Sequence, residues 1–187
     1  MSRSFSLEVL EAGRLDELER GEIVLLCNEA YGEDVSHLFA AYVADTHVLA
    51  RVGHTLVGHG MIVTRWLQAG DGPLLRTAYV ELVATAANYR NRGIGAGIMR
   101  LVMERAAVDR YDLAALCPAD TGLYGHLGWE YWQGPLFIRP DKEPAKDTEL
   151  LIPTPEERVM ILRLPVTLPM DPTQPLSAEW RAGGELW

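Results

Sequence analysis

Apolar positions follow two periods along the chain, and each switch between them marks an element. Residues 6–10 alternate and predict a short strand. Residues 14–30 set Leu15, Leu18, Val24 and Leu25 at roughly helical spacing, with Gly21 interrupting the run. Asp34 or Ser36 can cap a second helix through Ala44, with Leu38, Ala41 and Tyr42 on one side. From His47 the period shortens. Residues 47–52 and 56–66 are β-rich with a hairpin turn around Gly53, and Asp71-Gly72-Pro73 marks the next turn. Residues 78–84 form a strongly apolar strand whose one charge is Glu81. Residues 93–109 predict the best helix, with Ile94, Ile98, Leu101 and Val102 in one stripe.

Residues 113–116 then predict a buried strand, residues from about Ala119 to His126 a short helix, and residues 159–164 a final strand. Between them, 135–155 reads as a long excursion, and Pro165, Pro169, Pro172 and Pro175 give an extended path to the C-terminus. The order β-α-α-β-β-β-α-β-α-β is mixed α and β with a meander in the middle.

A length of 187 residues suits a single domain over 1–187, and 48% hydrophobic with 23% charged residues excludes disorder, collagen and coiled coil. No apolar run approaches the ~18 residues of a membrane helix, and the N-terminus lacks a signal-peptide stretch, so a soluble cytoplasmic protein without membrane partners is expected. Cys27 and Cys117, each inside an apolar run, are expected as small buried core residues. They cannot build a disulfide framework, and no metal-ligand spacing is present, so no metal is expected. The 26 acids against 17 bases leave a formal charge of −9, which disfavours nucleic acid and suits a small polycation.

Candidate chemistry concentrates in Tyr89-Arg90-Asn91-Arg92-Gly93-Ile94-Gly95-Ala96-Gly97, between the buried strand and the best helix. Free N–H groups at a helix N-terminus form an anion site, and glycines at 93, 95 and 97 remove Cβ atoms that would hold a phosphate away. Arg90 and Arg92 add charge where a diphosphate can lie. A dinucleotide fingerprint needs Gly-x-Gly-x-x-Gly, which this spacing does not supply, and a phosphate loop needs Gly-Lys-Ser/Thr, which is absent. The alternative is an ordinary strand-to-helix turn. Glu81 interrupts an apolar strand, so it faces a cleft, has a partner, or points to solvent from an edge.

Arg90, Gly93 and Gly95 reproduce the Arg-x-x-Gly-x-Gly acetyl-CoA loop, and the chain resembles the GCN5-related N-acetyltransferases (GNAT). About thirty residues on, Tyr124-Gly125-His126-Leu127-Gly128-Trp129 is similar to that family's Tyr-x-x-x-Gly-Phe/Trp signature. The resemblance implies an α+β GNAT fold, a mixed and mostly antiparallel sheet with splayed central strands flanked by helices. It implies acetyl-CoA as cofactor, leaving as coenzyme A, with its diphosphate on Arg90, Arg92, Gly93, Ile94, Gly95, Ala96 and Gly97. Val83 and Ala84 would meet its pantetheine arm through a bulged backbone. Glu81 would accept the amine proton and Tyr124 protonate the departing thiolate, while Tyr124 read alone is a half-buried packing residue.

Glu179-Trp180-Arg181-Ala182-Gly183-Gly184-Glu185-Leu186-Trp187 resembles the ending of aminoglycoside 2'-N-acetyltransferases. That likeness implies a tail, 165–187, contributing to the pocket for a polycationic aminoglycoside. Asp34, Glu81, Glu156, Glu185 and Trp187 would be its contacts, and a homodimer its assembly. The alternative for Trp187 is a terminal indole packed into a groove. Gly-Gly-Glu replaces the family's Gly-Asp in the tail, and the segment from Asp141 to Glu157 differs in length, so the antibiotic can differ, kasugamycin being one candidate. Acetylation of another small amine or a protein N-terminus, and a non-catalytic acyl-CoA binding module, are the alternatives.

Overall fold

The computed structural model describes residues 4–118, 122–140, 143–145 and 151–187. Their contacts gather in two compact units, Met1–Val63 with Val80–Arg105 and Thr64–Tyr79 with Ala106–Trp187. The boundaries fall inside two long strands, β3 (Thr55–Ala69) and β4 (Leu74–Thr85).

In the first unit, β1 (Ser6–Glu11) runs antiparallel to β2 (Ala44–Val52), with Ser6 opposite Arg51 and Glu11 opposite Thr46. β2 turns at Gly53, whose φ is 63°, and pairs antiparallel with β3. Helix α1 (Glu17–Tyr31) starts at a capping box, in which the Asp16 side chain accepts from the Glu19 N–H at 2.8 Å, and it stops at left-handed Gly32. Its buried face is Ile23, Leu26 and Cys27, whereas Leu18 and Leu25 of the expected stripe are 82% and 65% exposed. The helix carries apolar residues on two sides, so spacing alone could not choose the inner one. Helix α2 (Ser36–Ala41) ends three residues earlier than expected, because Ala44 already belongs to β2. Leu38 and Phe39 of α2 join Ile23, Leu26, Cys27, Met61 and Leu82 in this unit's core.

Helix α3 (Ile94–Val108) packs unusually close to β3. A Cβ at Gly58 would stand 2.7 Å from Ile94 Cγ2, and one at Gly60 would stand 2.9 Å from Ile98 Cγ2. Two missing side chains on the strand therefore set how near the helix N-terminus lies to the sheet.

The second unit carries the strand order β6-β9-β5-β4-β3-β10-β7-β8. β5 (Leu113–Leu116) matches the expected strand and pairs parallel with β4, Thr77 opposite Leu113. β9 (Met160–Arg163) is antiparallel to β5 and to the two-residue β6 (Glu130–Tyr131). On the other side β10 (Leu176–Glu179) runs antiparallel to β3 and parallel to β7 (Leu136–Arg139), which pairs with β8 (Ile152–Pro153). β7, β8 and β10 lie where sequence predicted an excursion or extended chain, and β6 lies between the predicted short helix and that excursion, where no element was expected. They are two to four residues long, and all four β10 residues are buried, so no polar alternation marks it. Helix α4 (Gly122–Gly125) is shorter than expected; its expected start at Ala119 lies outside the described residues, as does Asp141. The core here gathers Leu67, Tyr79, Leu113, Trp132, Ile138, Ile161, Leu176 and Trp187.

Candidate functional site

In the first unit, β4 leads through a 3-10 turn at Ala87–Tyr89 into Arg90-Asn91-Arg92-Gly93 and then α3. Asn91 and Gly93 both take positive φ, 61° and 80°, which turns the chain sharply into the helix. The first bond joins the Gly97 N–H to the Gly93 carbonyl at 2.9 Å, so the amides of Ile94, Gly95 and Ala96 precede the ladder. Among the described residues nothing lies within 4 Å of the place a Gly93 Cβ would occupy. The result is an open cradle of main-chain donors at the positive end of a 15-residue helix. It fits a diphosphate.

The two arginines of this loop brace it. Arg90 donates to the carbonyls of Thr85 (3.3 Å) and Ala30 (3.4 Å), and Arg92 to that of Asn88 (2.8 Å) while lying 5.0 Å over the Tyr89 ring. Both residues are exposed and retain further donors for an anion. Gly97 has a different purpose from the expected one: a Cβ there would meet Leu7 and Phe5 at 3.2 and 3.3 Å, so its bareness admits packing against the β1 segment rather than a phosphate.

Half-buried Glu81 directly precedes Leu82, a buried residue of β4 with φ 48°. A positive φ costs a β-carbon residue roughly 1–2 kcal/mol, so surrounding contacts must hold it. The Leu82 carbonyl accepts from His59 Nδ1 at 2.9 Å, with the Cys27 thiol 3.9 Å away. His59 Nε2 lies 3.1 Å from His47 Nδ1, and the His47 ring stacks on Phe39 with centroids 5.8 Å apart. Burial pushes both imidazoles down, His47 to about 4 with Arg20 adding to the effect, and His59 to about 3 with His47 adding. Burial likewise raises the Cys27 thiol to about 12. The Val83 carbonyl accepts from the Tyr31 hydroxyl at 3.2 Å, and Ala84 is buried. Asp34 lies two residues before α2, whose N-cap is Val35 rather than the expected Asp34 or Ser36; its Oδ1 accepts from the Ser36 N–H (2.9 Å) and hydroxyl, and these bonds hold its carboxyl below the usual range.

In the second unit, Tyr124 is partly buried on α4, with its ring edge-on to Trp129 at 6.3 Å. Glu156 and Glu185 are exposed. Trp187 does not present an open face to solvent: it is 1% exposed, packs in the core and donates its indole N–H to Thr154 Oγ1 at 2.8 Å. The tail turns back at Gly183 (φ 74°), braced by Arg181, whose guanidinium donates to the Glu185 carbonyl at 3.1 and 2.9 Å. The grooved-indole alternative describes Trp187.

Sequence reasoning missed the buried charges beside it. Arg65 and Arg139 are 0% and 1% exposed and flank the buried Glu179 carboxylate at 3.8 and 4.0 Å. Glu179 also accepts from the Trp66 N–H at 3.0 Å. The Arg65 guanidinium lies 4.8 Å over the Tyr79 ring and 5.9 Å from the Trp187 ring. Nothing in the spacing of Arg65, Arg139 and Glu179 along the chain announces this cluster. His47 and His59, each inside a predicted apolar strand, did carry a signal: buried polar groups need partners. Cys117, expected inside the core, is exposed at the end of β5, with its Sγ 3.7 Å from Glu157 Oε2. Its thiol is nonetheless raised to about 11, by local burial and by Glu157.

A strand kinked at Leu82 that leads through a glycine turn into a helix with free N-terminal amides defines an anion-binding strand–turn–helix unit. Residues 14–132 match the acetyltransferase (GNAT) domain family, and the chain belongs to it. An aminoglycoside 2'-N-acetyltransferase of Mycolicibacterium fortuitum is 36% identical over 138 residues, which cover 71% of this chain and 66% of that protein. A GNAT family N-acetyltransferase from Escherichia coli, solved with CoA, superposes with a TM-score of 0.66 at 14% identity, covering 95% of this chain and 91% of that one. A GNAT family acetyltransferase from Brucella melitensis, solved with acetyl-CoA, gives 0.63 at 15% identity over 97% and 98%. At those identities the two structures establish the shared fold. Among the described residues no helix is long and apolar enough to cross a membrane.

Proposed function

We propose that the chain is an acetyl-CoA-dependent N-acetyltransferase acting on the 2'-amine of an aminoglycoside antibiotic, in the cytoplasm and as a homodimer. The observation that carries the cofactor is the open cradle of amides at Ile94, Gly95 and Ala96 behind left-handed Gly93. The substrate class rests on the 36% identity to a protein of that name and on the acidic surface, −9 overall, which attracts polycations.

Bound acetyl-CoA supplies an activated acetyl group, which passes to nitrogen as a C–N bond forms and the C–S bond breaks. The α3 amides, with Arg90 and Arg92, hold the diphosphate end. The backbone of Val83 and Ala84, just after the Leu82 kink, would meet the pantetheine arm. Glu81 takes the proton that the substrate ammonium must lose, directly or through a water. Tyr124 returns a proton to the departing sulfur; a phenol of pKa near ~10 is well matched to a thiolate. Exposed Glu156 and Glu185 offer carboxylates to ammonium groups. Asp34, already bonded to Ser36, contributes its negative charge, and Trp187 supports the tail from the core rather than stacking on a sugar.

A thiol-release assay with acetyl-CoA, across aminoglycosides with and without a free 2'-amine and including kasugamycin, tests this reading. Turnover confined to compounds bearing that amine, with the acetyl group mapped to it by NMR, is the expected result. Equal turnover on compounds lacking it, or binding of acetyl-CoA without turnover on any amine, would overturn it.

A further inference from the structure

The strained peptide in β4 is held from beneath by two histidines that no step of the proposed chemistry uses. Leu82 and Val83 share one peptide plane, and in a trans peptide the carbonyl and the following N–H point in opposite directions. With the Leu82 carbonyl drawn to His59 Nδ1 at 2.9 Å, the Val83 N–H is fixed pointing away from His59. A carbonyl can only accept, so His59 carries its proton on Nδ1 and leaves Nε2 bare. Bare Nε2 in turn accepts from His47 Nδ1–H at 3.1 Å. Both rings are buried, at 0% and 3% exposure, and Phe39 stacks on the outer one. The Leu82 carbonyl and the His47 Nδ1–H thus both call for the same His59 tautomer, and His59 in turn sets the direction of one backbone N–H. Donation to a carbonyl also polarises its peptide, which makes the attached N–H a stronger donor.

We propose that His59 is a positioning residue for acetyl transfer, its Nδ1–H locking the Leu82–Val83 peptide so that the Val83 N–H is aimed at the thioester carbonyl, with His47 fixing the tautomer. The proposal rests on the acetyltransferase reading and adds to it a pair of residues that touch neither substrate. The thioester oxygen gains negative charge as the amine attacks. A pre-aimed amide stabilises that charge without reorganising, so the contribution falls on kcat. Tyr31, on the Val83 carbonyl at 3.2 Å, braces the next peptide of the same strand.

The test combines kinetics with NMR. His59→Leu keeps approximate volume and removes the donor, whereas His59→Asn restores an N–H near the Nδ1 position. We expect His59→Leu to lower kcat by about tenfold or more with KM for acetyl-CoA changed less than about threefold, and His59→Asn to recover most of it. Where His59→Leu does not fold, His47→Phe replaces it, with a smaller kcat loss expected and the same unchanged KM. Long-range 1H–15N spectra of the wild-type protein should find His59 protonated on Nδ1, a readout that needs no turnover. An Nε2–H tautomer, unchanged kcat in the variants, or a loss in KM alone each overturn the proposal. Absence of wild-type turnover on every amine would sink the acetyltransferase reading by itself and this assignment with it, whatever the tautomer.

Discussion

His47 and His59 make stability depend on pH in a specific direction. Their folded pKa values, about 4 and about 3, lie below the ordinary histidine value of 6.5, so the unfolded chain binds protons that the folded chain refuses. Both rings are neutral above 6.5 and cost nothing there. As pH falls from 6.5 toward 4, unfolding gains proton binding and stability drops. Urea titrations at pH 7.5, 6, 5 and 4 should show a falling midpoint, and His47→Phe should flatten the decline across that window. A slope unchanged by the substitution would show the loss coming from other groups. The pair was half legible in sequence: two polar residues inside predicted strands demanded partners, but that they would partner each other through opposite edges of one ring pair was a matter of register. The roles proposed for Glu81 and Tyr124 rest on a resemblance, since a lone carboxylate and a lone tyrosine each fit bland roles as well.

Among the elements, the Gly93 turn and α3 form one device. Alanine at 93 must adopt φ near 80°, a strain of roughly 1–2 kcal/mol, and its methyl would stand in the open cradle. Gly93→Ala should raise KM for acetyl-CoA by about tenfold or more while the fold persists, measured by steady-state kinetics beside thermal unfolding. Gly58→Ala acts on the same helix from below. Its Cβ would lie 2.7 Å from Ile94 Cγ2 and 2.8 Å from Ile98 Cδ1, forcing α3 outward at about 1–3 kcal/mol of stability. The melting temperature should fall, and coenzyme A affinity by calorimetry should weaken with it; a lowered melting temperature with untouched affinity would separate helix seating from the cradle. The loop, the helix and β5 were readable because each combines strong local periodicity with turn chemistry. The inner face of α1 was not, because Leu18 and Leu25 compete with Ile23, Leu26 and Cys27 for the same reading.

At the scale of the whole molecule, charge acts in two opposed ways. The surplus of 26 acids over 17 bases should draw an aminoglycoside toward the protein, and salt screens that field. Raising ionic strength from about 0.05 to 0.5 M should increase KM for the aminoglycoside far more than kcat changes. Inside the second unit the balance inverts, with two buried guanidiniums on the single carboxylate of Glu179. Removing it in Glu179→Ala leaves both cations buried beside a hole and should cost about 3–5 kcal/mol, read as a large drop in the melting temperature. A shift within experimental scatter would mean that the arginines find other acceptors. Glu179 sits in β10, an element the proline-rich C-terminal composition concealed, so neither the strand nor the cluster it completes was visible beforehand.

By itself the amino-acid sequence determined what is local: the mixed α+β order, the glycine turns, the glycine-rich loop leading into α3 and the surplus of acidic residues. These follow from propensities and spacings within a few residues. Tertiary structure decided what depends on partners far apart in the chain. It chose which face of α1 is buried, recruited four short strands into the sheet, bent β4 at Leu82 over His59, and moved Trp187 from an expected sugar wall into the core against Thr154. Each of those outcomes is a competition among long-range contacts, and a periodic pattern carries no record of which contact wins.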